Sequence, residues 1–141
     1  PNAVIKMAVQ RGMTVSVCNP PGFDLPYELT ANSAKVEVTH DRAEAFDGAH
    51  AVYVKSWSSA KHYGSPLEAE ARSGLRDWCA DEDWFAPAQK EALFMHCLPV
   101  RRNAEVRDLL IDGPRSVVIE QARNRLHVQK AILAKVMKEE L

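Results

Sequence analysis

Five short runs of β-forming residues, set between stretches of helical spacing, restrict this 141-residue chain to an α/β architecture. The runs are Met13–Cys18, Lys35–Thr39, Ala49–Ser56, Leu93–His96 and Ser116–Ile119. Val4, Ile5, Ala8 and Val9 recur at helical spacing ahead of Gly12, and Tyr27–Ala34 reads as a short helix. Asp41 caps a helix through Ala45 and Phe46 to Gly48. Residues 67–90 are helical in pieces, with Trp78, Trp84 and Phe85 as packing anchors. Gly113-Pro114 stops a short helix, and a long last helix starts at about Gln121. Its apolar stripe, Leu126, Leu133, Val136 and Met137 with Val128 and Ile132, reads as core, or at its end as a surface for docking on a further domain. Strands separated by helices pair in parallel and are covered on both faces. The expectation is therefore a Rossmann-like, three-layer domain over residues 1–141, with a five-stranded parallel sheet.

Charge and cysteine usage exclude several function classes. Eighteen Lys and Arg against nineteen Asp and Glu leave a net charge of -1, so no overall field favours nucleic acid or an anionic membrane. Anion binding has to be local. No apolar run approaches the roughly 20 residues that span a bilayer. Cys18, Cys79 and Cys97 have neither C-x-x-C nor zinc-ligand spacing, which points to reduced thiols in a cytoplasmic setting. No G-x-G-x-x-G follows the first strand, and neither a P-loop nor a G-x-S-x-G elbow is present. The chain opens on Pro1-Asn2 directly ahead of a helical pattern, as a piece of a longer polypeptide would.

Chemistry concentrates at the strand ends, where open α/β sheets bind ligands. The run Leu93-Phe94-Met95 ends in His96-Cys97-Leu98-Pro99-Val100-Arg101-Arg102, with Asn103 placed to cap a helix holding Val106, Leu109 and Leu110. Ala51-Val52-Tyr53-Val54 ends in Lys55-Ser56-Trp57, and the loop Ser58–Pro66 follows. Trp57 suits either loop packing or substrate contact. Lys55, Arg101, Arg102 and Arg125 are expected to converge on one sheet edge and to hold an anionic or carbonyl-bearing small molecule. Leu98-Pro99 is a candidate cis peptide. Glu105 is expected near a helix N-terminus, where a negative charge is favoured.

His96-Cys97-Leu98-Pro99, followed at the right distance by Asn124-Arg125-Leu126-His127-Val128-Gln129-Lys130, resembles the second, amino-acid-binding domain of the carbamoyltransferases. Ornithine carbamoyltransferases carry an aspartate and Ser-Met-Gly after the third strand; here Val54-Lys55-Ser56-Trp57 stands, and Arg101-Arg102-Asn103 follows the proline. These departures resemble the N-acetylornithine and N-succinylornithine carbamoyltransferases. The resemblance implies transfer of a carbamoyl group from carbamoyl phosphate to the δ-amine of an N-acylated ornithine, in arginine biosynthesis, with no cofactor. It implies catalytic parts for His96, Cys97 and Arg125, with Cys97 positioning rather than attacking. Lys55, Cys97, Leu98, Arg101, Glu105 and Arg125 would bind substrate, and Glu105 would orient Lys55. The family's Ser-x-Arg-Thr and His-Pro-x-Gln motifs belong to a first, carbamoyl-phosphate-binding domain and do not occur here, so the isolated chain is expected to be inactive. Relatives form trimers. An ornithine carbamoyltransferase or uncharacterised carbamoyltransferase paralogue, and a non-catalytic ligand-binding module, are the alternatives.

Overall fold

The computed structural model describes residues 2–30, 34–56 and 64–139. Its strands are β1 (Val15–Cys18), β2 (Val36–Thr39), β3 (Ala51–Val54) and β4 (Leu93–His96). β1 pairs in parallel with β2, Val15 opposite Val36, and β3 with β4, Ala51 opposite Leu93. The helices are α1 (Asn2–Gln10), α2 (Tyr27–Thr30), α3 (Arg42–Phe46), α4 (Leu67–Ser73), α5 (Asp108–Ile111) and α6 (Val118–Glu139). Two 3-10 turns, Arg76–Trp78 and Glu82–Phe85, complete the helical pieces foreseen between residues 67 and 90. Asp41 caps α3 as expected: its carboxylate accepts the amides of Ala43 and Glu44 at 2.8 and 3.2 Å.

The five-stranded sheet is not what forms among the described residues. Two separate two-stranded parallel sheets stand in its place. The expected fifth strand shrinks to a single bridge between Phe94 and Ser116, because the chain turns into α6 at Val118, three residues before the expected start. The Val117 carbonyl already accepts the Gln121 amide at 2.8 Å and so leaves the ladder for the helix.

The core gathers around β4. Phe46, Phe85, Phe94, Val106, Leu110, Ile111 and Val118 are buried in one cluster, with Ala80 and Ala92. Phe46 meets Trp84 and Phe85 edge-on, centroids 5.9 and 5.7 Å apart, and the Arg42 guanidinium lies 4.7 Å over Trp84. Those aromatics are packing anchors, as read from the sequence.

The stripe on the last helix is not core. Leu126, Val128, Ile132, Leu133, Val136 and Met137 are 50–66% exposed. The helix meets β4 through its first turn, where Val118 is buried and Gln121 bonds the His96 amide, and among the described residues nothing covers the side chains beyond that turn. No described helix is long and apolar enough to cross a membrane.

Candidate functional site

Register decides which residues meet at the sheet edge. Val54 lies opposite His96, so Lys55 and Cys97 leave adjacent strands side by side at their carboxyl ends. Strand alternation turns Phe94 and His96 into the core and leaves Cys97 for the other side. Lys55 is exposed, and its charge is felt at His96. Cys18, Cys79 and Cys97 are all reduced.

The segment after β4 folds back on a buried carboxylate. Leu98-Pro99 is a cis peptide, with Leu98 at φ 46°. The Leu98 amide donates to His96 Nδ1 at 3.0 Å, so that nitrogen is an acceptor and the neutral ring carries its proton on Nε2. Nε2 faces Glu105 Oε2 at 4.0 Å, and both side chains are about 1% exposed. The same Oε2 accepts the Arg101 amide at 3.0 Å, while the half-exposed Arg101 guanidinium stands 3.7 Å from Oε1. Glu105 is thus not at a helix N-terminus, since α5 begins only at Asp108. Nor does it orient Lys55: among the described residues its partners are His96 and Arg101. Its position braces the segment at both ends, at the strand tip and at Arg101.

Burial pushes the His96 pKa below 6.5, against the attraction of Glu105, and the Lys55 charge pushes it the same way. The sign of the consequence is fixed. The unfolded chain takes up a proton near pH 6.5 and the folded site does not, so this contribution to stability is complete above that pH and is lost on acidification. We expect the unfolding free energy from urea titrations to fall between pH 7 and 5 with a slope up to about 1.4 kcal/mol per pH unit from this one group. In His96→Gln that slope should flatten.

Arg102 does not join the convergence. Its guanidinium holds Asp108 at 2.8 Å and Asp112 at 2.6 and 2.8 Å, and beside it both carboxyls stay below their ordinary range. These hydrogen bonds fasten the loop to α5. Asn103, at φ 58°, is not the residue next to the helix; its side chain reaches Asp108 from five positions upstream and accepts that residue's amide at 3.2 Å. Trp57 and most of the Ser58–Pro66 loop lie outside the described residues.

Two residues that sequence reasoning missed complete the edge. Gln121 accepts the His96 amide on Oε1 at 3.1 Å. The Tyr53 hydroxyl lies near the Cys97 thiol and Gln121, and burial, followed by the neighbouring Cys97, raises its pKa to about 12. Polar residues at a strand end and in a helix's first turn were the available signal. Arg125 sits one turn beyond Gln121 on the same face of α6, exposed. Lys55 and Cys97 therefore border one edge, Arg101 is held by Glu105, and Arg125 lies on the helix face from which Gln121 reaches β4. Among the described residues no cluster of His, Cys, Asp or Glu could hold a metal ion.

Residues 2–136 match the family described as aspartate/ornithine carbamoyltransferase, Asp/Orn binding domain. An ornithine carbamoyltransferase from Paracidovorax citrulli is 41% identical over 135 residues, covering 94% of this chain and 43% of that protein. One from Burkholderia mallei is 45% identical over 125 residues, covering 86% of this chain and 40% of that protein. Among solved structures, an acetylornithine transcarbamylase complexed with acetylcitrulline superposes with a TM-score of 0.82 at 35% identity, covering 95% of this chain and 43% of that one. A mutant N-acetyl-L-ornithine transcarbamylase complexed with carbamyl phosphate and N-succinyl-L-norvaline gives the same values. The chain thus spans less than half the length of these relatives.

Proposed function

The chain belongs to the aspartate/ornithine carbamoyltransferase family, and from that premise we propose that it supplies the amino-acid half of a carbamoyl-transfer site selective for an N-acylated ornithine. One observation carries the choice of substrate: a lysine, Lys55, stands beside the Cys97–Leu98 segment at the strand tips. Free ornithine brings an α-ammonium to such a position, and a cation facing a cation is unfavourable. Acylation turns that ammonium into a neutral amide and leaves the α-carboxylate and acyl oxygens, which a lysine can bind.

In the reaction the δ-amine attacks the carbonyl carbon of carbamoyl phosphate; a C–N bond forms, the bond to the phosphate oxygen breaks, and phosphate leaves with the amine losing a proton. Lys55 and the half-exposed Arg101 hold the carboxylate end of the acceptor. Arg125 stabilises the negative charge that develops on the carbamoyl group and its leaving phosphate. The Cys97–Leu98 backbone, held by His96 and Glu105, orients the reactants. The remaining phosphate contacts come from outside these residues, so the isolated chain is expected to bind carbamoyl phosphate weakly and not to turn over.

The test is product formation by the full-length protein with N-acetylornithine, N-succinylornithine and ornithine side by side. Preference for either acylated acceptor supports the reading. Preference for ornithine supports the second one, ornithine carbamoyltransferase, which is favoured by relatives of that name being 41–45% identical against 35% for the acetylornithine enzymes. No transfer with any of them leaves a ligand-binding module.

A further inference from the structure

We propose that Gln121 is a positioning residue that sets the rotation of α6, and with it Arg125, against the Cys97–Leu98 segment; the functional meaning of this rests on the carbamoyl-transfer reading above. The ladder on the outer side of β4 is interrupted. Phe94 donates its amide to the Arg115 carbonyl at 2.8 Å, and Val117 donates to the Phe94 carbonyl at 2.9 Å. Continued by one step, a parallel ladder would have the His96 amide donate to the Val117 carbonyl. That carbonyl is taken by the Gln121 amide at 2.8 Å, because the helix has begun.

The Gln121 side chain supplies the missing acceptor. Its Oε1 receives the His96 amide at 3.1 Å, in place of the main-chain carbonyl. With Oε1 occupied, its amide nitrogen is left to face the nearby Tyr53 hydroxyl, which neighbours the Cys97 thiol. One side chain therefore bonds the last amide of β4 and sits beside a tyrosine of β3 and the thiol of the loop. Each residue of a helix advances about 100° around its axis, so a slip of one position would break this bond and swing Arg125 off the edge. Held as it is, Arg125 follows four residues on, about 6 Å along the same face. A strand end that merely stopped would need no such bond, since water could take the amide.

The test compares Gln121→Leu, which removes the acceptor for His96 and the amide beside Tyr53, with Gln121→Glu, which keeps the acceptor alone. Exchange of the His96 amide, measured by NMR against the Phe94 amide of the same molecule, is expected to speed up about tenfold in Gln121→Leu. In Gln121→Glu it should return to within about threefold of the unaltered chain. Alkylation of Cys97 by iodoacetamide, read by mass spectrometry against the buried Cys79, should accelerate in both variants, because neither gives Tyr53 an amide donor. In the full-length protein, Gln121→Leu should raise the KM for carbamoyl phosphate about tenfold, through Arg125. An unchanged His96-to-Phe94 exchange ratio overturns the proposal. So does equal loss of protection at every β4 amide, which would mark general loosening, or an unchanged KM. Should Gln121→Leu fail to fold, Gln121→Glu decides: retained His96 protection with faster Cys97 alkylation supports the role, and any other pattern overturns it. Failure of the unaltered full-length protein to transfer carbamoyl groups sinks the functional reading alone, because exchange and alkylation need no turnover.

Discussion

Replacing Lys55 by methionine is expected to lower kcat/KM for N-acetylornithine about 10- to 100-fold in the full-length protein, while the rate with ornithine stays level or rises. The size follows from losing one hydrogen bond to a charged group, worth about 1.5–3 kcal/mol. Methionine keeps the length and apolar character of the side chain, so the change isolates the charge. Lys55→Asp should go further and improve the use of ornithine, whose α-ammonium then meets a carboxylate. Thermal midpoints should hardly move in either variant, because Lys55 is exposed. Steady-state kinetics with both acceptors decide the matter: equal losses with ornithine and N-acetylornithine would deny Lys55 any part in choosing between them.

Glu105→Ala should cost about 3 kcal/mol of stability, the largest expected loss for a single polar substitution in the chain. Its side chain is about 1% exposed, and removing it strands the Arg101 amide, leaves His96 Nε2 with no charge to face, and opens a void next to Val106. Glu105→Gln keeps an acceptor for the Arg101 amide and should cost about 1 kcal/mol. Urea denaturation of the two variants at pH 7 separates these expectations. A cost near zero for both would mean that the loop from Leu98 to Arg107 is held by its backbone alone. Because Glu105 also pulls the His96 pKa upward, Glu105→Gln should push it lower still, and the acid-side loss of stability should then extend to lower pH.

The legible parts of this molecule were local. Asp41 before Ala43 and Glu44 is a cap wherever it occurs, because the bonds span two and three residues. β3 and β4 stood out through alternating or continuous apolar runs, and the tips that follow them were correctly read as neighbours of one edge. Arg102 was misread because its competition lay in Asp108 and Asp112, and only the fold of the intervening turn reveals that they, rather than a ligand, hold its guanidinium. Glu105 was misread for the complementary reason: a carboxylate near a helix start has a ready local explanation, and its burial against His96 is visible only after β4 is packed. Gln121 was passed over because an amide side chain has no local signature when its partner is a strand amide 25 residues away.

The sequence by itself determined the element order, the parallel sense of the strand pairs, and which side chains the strand tips present, because each follows from residue spacing, turn chemistry and the period of two or 3.6 residues. Only the tertiary structure decided that the fifth strand gives way to a helix, that the apolar stripe of α6 stays exposed, and which cations remain available at the edge. Those outcomes depend on competition for the same acceptors and the same buried space by residues far apart in the chain, and a hydrogen bond or a packed face has no fixed owner until all its claimants are in place.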